Sequence, residues 1–295
     1  MSTAPSLMRS YIALTKPRLV SMVAVSSSLG FFLASSPRAS FPDATLARYL
    51  FMILGVGLSG AGSCVLNQYL ERDADSRMER TRHRPLPTGE ISPMHALLLG
   101  VTLVLAGIFI LENQVNLLTS FLVLLTTFLY VLVYTPLKRL TWLNTTVGAI
   151  PGAIPTLAGW AAATNHLSPA AWTLFTILFL WQHPHFFAIA WLYRDDYRQG
   201  DFRMLPVVEP DGASTFRQIL IFTVLLIAAS LAPAGLGTAG LIYTAGALLL
   251  GTIFLASGIR LARLRSTEQA RALFHFSLLY LPCLLLLLAA DSILQ

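Results

Sequence analysis

A chain of 295 residues that is 55% hydrophobic and only 12% charged, with a mean hydropathy of +0.67, has too little polar surface for a soluble globule and reads as a polytopic membrane protein. Its formal charge of +6 does not point to nucleic acid, because the basic residues sit in short loops between apolar runs. The two cysteines, Cys64 and Cys283, lie inside apolar runs without CxxC spacing or histidines at zinc intervals, so neither a redox motif nor a zinc site is indicated and both are expected to pack.

The first residues, MSTAPSLMRSYIALTKPRLV, lack the long Arg- and Ser-rich amphipathic leader of a mitochondrial import sequence, and a bacterial plasma membrane is the expected location. An apolar stretch of about 20 residues crosses a bilayer as a helix. Such stretches are expected at 18–35, 47–70, 93–111, 117–136, 142–163, 170–192, 216–234, 237–258 and 272–290. The expected fold is therefore all-α, a single membrane domain over 1–295 with nine transmembrane helices. Only ENQVN separates the third stretch from the fourth, which predicts an antiparallel hairpin. With the N-terminus cytoplasmic, every Lys and Arg except Arg38 and Arg48 falls on the cytoplasmic side, and an odd number of crossings puts the C-terminus outside. All the chemically useful polar clusters then open to the cytoplasm, from which substrates should arrive.

The second stretch runs into NQYLERDADSRMERTRHRPLPTG, residues 67–89, which carries four carboxylates and five arginines. Asn67, Glu71 and Asp75 are four apart, so each lies only about 40° round the helix from the last and all three share one face, while Asp73 points elsewhere. An amide and two carboxylates offer hard oxygen ligands suited to Mg²⁺, a metal that completes its shell with water and substrate phosphate. Arg80 and Arg84, also four apart, could hold the remaining phosphate oxygens. The plain alternative is a solvated loop of mutually paired charges. Ionisable groups abutting a membrane-buried face weigh towards a functional site.

Between the fourth and fifth stretches, YTPLKRLTWLN sets Lys138 and Arg139 beside the membrane, where either takes phosphate charge or serves as a topology signal or headgroup anchor. Lys138 is the one expected to bind phosphate. The fifth stretch carries Pro151, Pro155, Gly148, Gly152 and Gly159, a pattern for a helix that lines a cavity or packs closely, and Asn144 is expected at the cavity mouth. His183 and His185 flank Pro184 in the sixth stretch. Imidazole is a common axial ligand of haem iron, although a buried histidine is more often simply hydrogen-bonded. The segment YRDDYRQGDFRMLP follows, where Asp195, Asp196 and Asp201 could bind a second Mg²⁺ or pair with the neighbouring arginines.

The triad Asn67/Glu71/Asp75 with its trailing Arg80-Thr81, Arg84 and Gly89 resembles the first signature of the UbiA superfamily of intramembrane prenyltransferases. LTKPRLV at 14–20, YTPLKRLTWLN at 134–144, GAIPGAIPTLAGWAA from 148, WQHPHFFAIAWLYRDDY at 181–197 and ARALFHFSLLYL at 270–281 resemble the branch of it that farnesylates haem. The resemblance implies a nine-helix bundle around a central cavity, with two Asp-rich motifs at the cytoplasmic mouth that bind Mg²⁺ and the diphosphate of a polyprenyl donor. It implies Asn67, Glu71, Asp75 and Asp196 as catalytic, Arg80, Arg84, Lys138 and Arg139 on the diphosphate, and His185, which matches the family's Pro-His-Phe motif, towards haem; His183, also a candidate there, sits where the family varies more. Two departures stand out. Glu71 occupies a position where aspartate is common. Four residues beyond Asp196 lies Gly200, and Asp201 falls where the haem branch usually has glycine.

The implied reaction joins the farnesyl group of farnesyl diphosphate to a vinyl group of haem B, giving haem O on the way to haem A for terminal oxidases. The expected partners are those two substrates, the lipid bilayer, and haem A synthase or terminal oxidase assembly factors, with no nucleic acid. A prenyltransferase of aromatic acids or quinone precursors would need the same diphosphate residues. A transporter would also show kinked helices. No internal repeat with paired broken helices supports transport, and arginines crowding both acidic clusters suit phosphate better than a cation pathway.

Overall fold

The computed structural model describes residues 7–35 and 43–294, which form helices and turns with no strand among them; Arg38 lies outside the described residues. The first expected crossing is split into α1 (Leu7–Thr15) and α2 (Pro17–Ala34). Lys16 sits at the break with φ 47° and ψ 63°, because the ring of a following proline pushes the residue before it out of the right-handed helical region. Pro17 then starts α2, where its missing N–H costs nothing. α3 (Asp43–Asp75) has 33 residues, about 50 Å at 1.5 Å per residue against a hydrocarbon core of about 30 Å. Its last turns, which carry Asn67, Glu71 and Asp75, therefore reach the end of the bundle.

A compact run of turns over 76–92 leads to α4 (Pro93–Gln114), whose first turn is capped by the Ser92 hydroxyl, and α5 (Leu117–Phe128) starts on the Asn116 side chain, which accepts from Thr119 N at 2.8 Å. α5 passes through a π-helical turn (Leu129–Tyr134) into α6 (Thr135–Leu140). Pro136 explains the wide turn: it has no N–H to donate and its ring would strike the carbonyl four residues back. The chain continues with α7 (Asn144–Thr164), α8 (Pro169–Leu192) and two short helices, α9 (Arg194–Gln199) and α10 (Leu205–Val208). It ends with α11 (Ala213–Ser230), the single turn α12 (Ala232–Gly235), α13 (Leu241–Leu264) and α14 (Thr267–Leu294). α13 runs six residues beyond its expected end, so Arg260 and Arg263 are helical rather than in a loop.

Among the described residues seven segments are long and apolar enough to cross a membrane, which makes this an integral multi-pass membrane protein. α7 and α8, counted among the nine expected crossings, are not in that set. They form the middle of the bundle, with more than half of their residues buried against protein, so they carry Asn, Thr, Gln, His and Pro where lipid-facing helices carry Leu. One apolar cluster lies on the side of α2, α3, α5 and α7, another on the side of α8, α11, α13 and α14, and Trp160 on α7 packs against both. Between membrane helices, lipid is as apolar as any side chain, so close packing takes the place of hydrophobic burial. It is tight where α2 meets α7: a Cβ on Gly30 would lie 2.0 Å from Thr156 O, and one on Gly159 would lie 1.8 Å from Ser27 O. At the opposite end of α14 from the acidic loops, the Asp291 carboxylate accepts from the N–H groups of Gly240 and Tyr243 and so caps α13.

Candidate active site

The end of α3 supplies the core of the site. Asn67, Glu71 and Asp75 are 1%, 5% and 1% exposed, whereas the Asp73 side chain is 74% exposed. Each of the three buried groups meets a base from a different element. Lys16 Nζ donates to Asn67 Oδ1 at 3.0 Å, Lys138 Nζ to Glu71 Oε1 at 2.7 Å, and Arg84 Nη1 to Asp75 Oδ2 at 2.7 Å. The other half of the Asn67 amide donates to Thr135 Oγ1 at 3.1 Å, and Thr135 Oγ1 in turn donates to Tyr130 O at 2.8 Å. Three cations against two carboxylates leave one positive charge. Lys16, bonded to a neutral amide, is the cation without a carboxylate of its own among the described residues.

Local structure explains these positions. The π turn lets Thr135 N–H reach back five residues to Tyr130 O, and this rotates the following helix so that Thr135 and Lys138 face α3. Lys138 Nζ lies 4.7 Å from the Tyr134 ring centroid and 5.5 Å from that of Phe202, and Tyr134 stacks on Tyr130 at 5.8 Å. In the 76–92 loop, Thr81 Oγ1 donates to Asp75 O at 2.9 Å, which satisfies one of the last carbonyls of α3. Leu86 and Ile91 pack on Leu14, Val65 and Ala96, which folds the loop back and aims Arg84 at Asp75. Gly89 turns the chain with φ 76°, a conformation that glycine adopts without strain.

Beyond Asp75 the expected helical spacing does not continue, because the chain turns, and Arg80 and Arg84 go to different places. Arg80 lies across the rings of Tyr193 and Tyr197, 5.4 and 5.9 Å from their centroids, with Nε 3.9 Å from Asp196 Oδ2. Glu79 N donates to Asp196 Oδ1 at 3.2 Å, so the two acidic loops touch at one end of the bundle. Arg77 pairs with Asp201 at 2.9 Å and Arg198 with Asp195 at 2.9 Å. Asp196 is the most enclosed of the three aspartates, its side chain 15% exposed against 70% for Asp195 and 73% for Asp201. Glu79, Arg80, Tyr193, Asp195 and Asp196 line an open cleft of about 330 Å³. Arg139 is exposed on α6. Asn144, expected at a cavity mouth, is instead fully buried: its amide donates to Thr141 O at 2.6 Å and Arg203 O at 3.1 Å, fastening the start of α7 to the second acidic loop.

The histidines lie apart from the triad and, two residues apart on α8, point to different sides of it, His183 towards α11 and His185 towards α14. His183 is fully buried, with Nδ1 on Phe179 O at 2.8 Å and its ring stacked 3.6 Å from that of Phe222. His185 has Nδ1 2.7 Å from Ser277 Oγ and its ring between Trp181 and Phe274, at 4.8 and 5.1 Å. Sequence reasoning missed Lys16 and Thr135 as members of the site. The Lys-Pro pair was the available signal for Lys16, since it fixes a chain break opposite the triad.

One observation tests whether the triad suits a divalent cation. Asp75 Oδ1 is sealed from solvent and has no hydrogen-bond partner among the described residues, which leaves a buried carboxylate oxygen with its lone pairs unused. With Glu71 and Asn67 beside it, the donor set is all oxygen, as Mg²⁺ requires.

A family model described as the UbiA prenyltransferase family matches residues 23–281. The chain is 47% identical over 289 residues to a protoheme IX farnesyltransferase of Solibacter usitatus, covering 96% of this chain and 99% of that protein. It is 43% identical to the protein of that name from Salinibacter ruber, with 95% and 98% covered. Among solved structures, a digeranylgeranylglyceryl phosphate synthase superposes with a TM-score of 0.81 at 16% identity, covering 98% of this chain and 99% of that one. A UbiA homolog from Archaeoglobus fulgidus bound to GPP and Mg²⁺ superposes with a TM-score of 0.66 at 15% identity, with 95% and 99% covered.

Proposed function

The chain belongs to the UbiA prenyltransferase family, and from that membership we propose that it transfers the farnesyl group of farnesyl diphosphate to a vinyl group of haem B, giving haem O. The observation that carries the donor half is the ring of Lys16, Lys138 and Arg84 around Asn67, Glu71 and Asp75, a buried site with one excess positive charge. The names of relatives at 43–47% identity support the acceptor. Asn67, Glu71 and Asp75 would hold Mg²⁺, which supplies positive charge to the diphosphate as it leaves; the Mg²⁺ bound to the Archaeoglobus fulgidus homolog supports a role for that metal. A second ion at Asp195, Asp196 and Asp201 would have to displace the arginines now paired with them.

In this reading Lys138 and Arg84 turn from their carboxylates to the diphosphate oxygens, and Arg80, already beside Asp196, adds charge from the second loop. Arg139 sits at the rim. The C–O bond of the donor breaks towards diphosphate, and the Tyr134 ring, over which Lys138 lies, would offer its face to the allylic cation once Lys138 has turned to the diphosphate. Transfer requires that water be kept from quenching that cation. The vinyl carbon attacks the cation, a C–C bond forms, and the new cation beside the porphyrin takes up water and loses a proton. His185, flanked by Trp181 and Phe274, contacts haem.

The architecture that goes with this is one domain over 1–295 of nine crossings, α7 and α8 being the inner two, with the N-terminus cytoplasmic in a bacterial inner membrane. The contact between the two acidic loops supports a single reaction mouth. Incubating the purified protein with haem B, farnesyl diphosphate and Mg²⁺ should raise the mass of haem by one farnesyl and one hydroxyl group. Diphosphate release with no change in haem would instead favour an aromatic or quinone acceptor. No release at all would rule out transfer.

A further inference from the structure

We propose that Ser277 on α14 is a positioning residue that locks His185 in the tautomer protonated on Nδ1, so that a bare Nε2 lone pair is presented to the haem iron. The inference deepens the haem-facing reading of His185 and rests on it. It comes from counting hydrogens. The Ser277 hydroxyl has one, and Oγ donates it to Phe274 O at 2.6 Å, where a carbonyl can only accept. Ser277 Oγ also lies 2.7 Å from His185 Nδ1, and with its own hydrogen spent it can only accept there. The hydrogen between them therefore belongs to Nδ1, and Nε2 of the neutral ring carries the lone pair. A histidine whose second nitrogen is fixed by a neighbouring oxygen is the arrangement that orients an imidazole for metal ligation.

Accessibility distinguishes His185 from its neighbour. His183 also gives its Nδ1 hydrogen to a carbonyl, that of Phe179, but its Nε2 is sealed in without a partner and its ring lies flat against Phe222. Nε2 of His185 has no partner among the described residues either, yet it is not sealed, and the residue keeps 8% of its surface exposed. Trp181, Phe186 and Phe274 pack round the ring and fix its plane. Trp181 Nε1 donates to the backbone oxygen of Ser277 at 2.8 Å, so α8 and α14 stay fastened when the Ser277 side chain is changed.

The test is long-range ¹H–¹⁵N correlation on ¹⁵N-histidine-labelled protein in detergent without haem, paired with haem B titration followed at the Soret band. The His185 resonances are identified by their loss in His185→Ala. The expected result is Nδ1–H with bare Nε2 in the wild type and in Ser277→Thr, and a shift towards Nε2–H in Ser277→Ala. In the titration, Ser277→Ala should bind haem about 10- to 100-fold more weakly, with a Soret band displaced as in His185→Ala, while Ser277→Thr keeps the wild-type band. Nε2–H in the wild type overturns the positioning role even if Ser277→Ala does not fold, as does an unchanged tautomer in Ser277→Ala. The expected tautomers together with a Soret band indifferent to His185→Ala would overturn the haem contact itself.

Discussion

Replacing Asp75 by Asn changes one formal charge and almost nothing else. The side chain is 1% exposed, Oδ2 is held by Arg84, and Oδ1 is the unpartnered oxygen. A unit charge about 4 Å from another at an effective dielectric of about 20 is worth about 4 kcal/mol. Against a divalent ion this doubles, but in the variant Arg84 no longer has to be pulled from a carboxylate, which returns a similar amount. The net loss of about 4 kcal/mol corresponds to about 10³-fold in Mg²⁺ affinity. Arg84 is 25% exposed and can turn to water, so the fold itself should lose only about 1–2 kcal/mol. Calorimetric titration of Mg²⁺ into protein holding the donor, with turnover measured against Mg²⁺ concentration, reads the effect directly. Haem binding should survive. Asp73→Asn, on an exposed side chain, is the control and should stay within about threefold of wild type. If Asp73→Asn and Asp75→Asn lost Mg²⁺ affinity and turnover equally in folded protein, α3 would not be presenting the metal site on its buried face.

Lys138→Ala should weaken farnesyl diphosphate binding more than haem binding, because only the donor has a diphosphate for the ammonium to meet; equal losses by calorimetry would remove Lys138 from the donor site. Asp201→Gly deletes the ion pair with Arg77 but relieves a non-glycine residue at φ 57°, so melting temperature and turnover should both stay near wild type. A loss of turnover like that of Asp75→Asn would make Asp201 a metal ligand after all. Gly159→Ala puts a Cβ where Ser27 O stands and should cost about 2 kcal/mol or more in detergent denaturation, with α2 and α7 forced apart.

The membrane class, the all-helical fold and the family could be read from hydropathy and motif spacing, because length and apolarity set crossings and spacing of four sets a helix face. α7 and α8 were both expected as crossings but lie at the margin of what hydropathy can read. Helices buried among other helices have no need to be apolar all round, and they drop below the composition of a lipid-facing span. Arg80 shows the limit of spacing, since a four-residue interval has meaning only while the helix lasts, and the helix stops at Asp75. Lys16 was hidden for another reason: its partner Asn67 is 51 residues away, and only tertiary packing joins them. The inward aim of Ser277 is likewise invisible in ARALFHFSLLYL, where it is one small polar residue in an apolar run.

The π turn at Leu129–Tyr134 makes the site depend on chain length as well as on chemistry. Each residue added to or taken from a helix turns everything beyond it by about 100°. Inserting one residue between 129 and 134, where the turn already holds one residue more than an α-helix would, would swing Lys138 and Thr135 away from Glu71 and Asn67, with every side chain of the site still present. A single-codon insertion there would therefore imitate loss of Lys138. α5 before the turn, anchored at Asn116, would be left as it was.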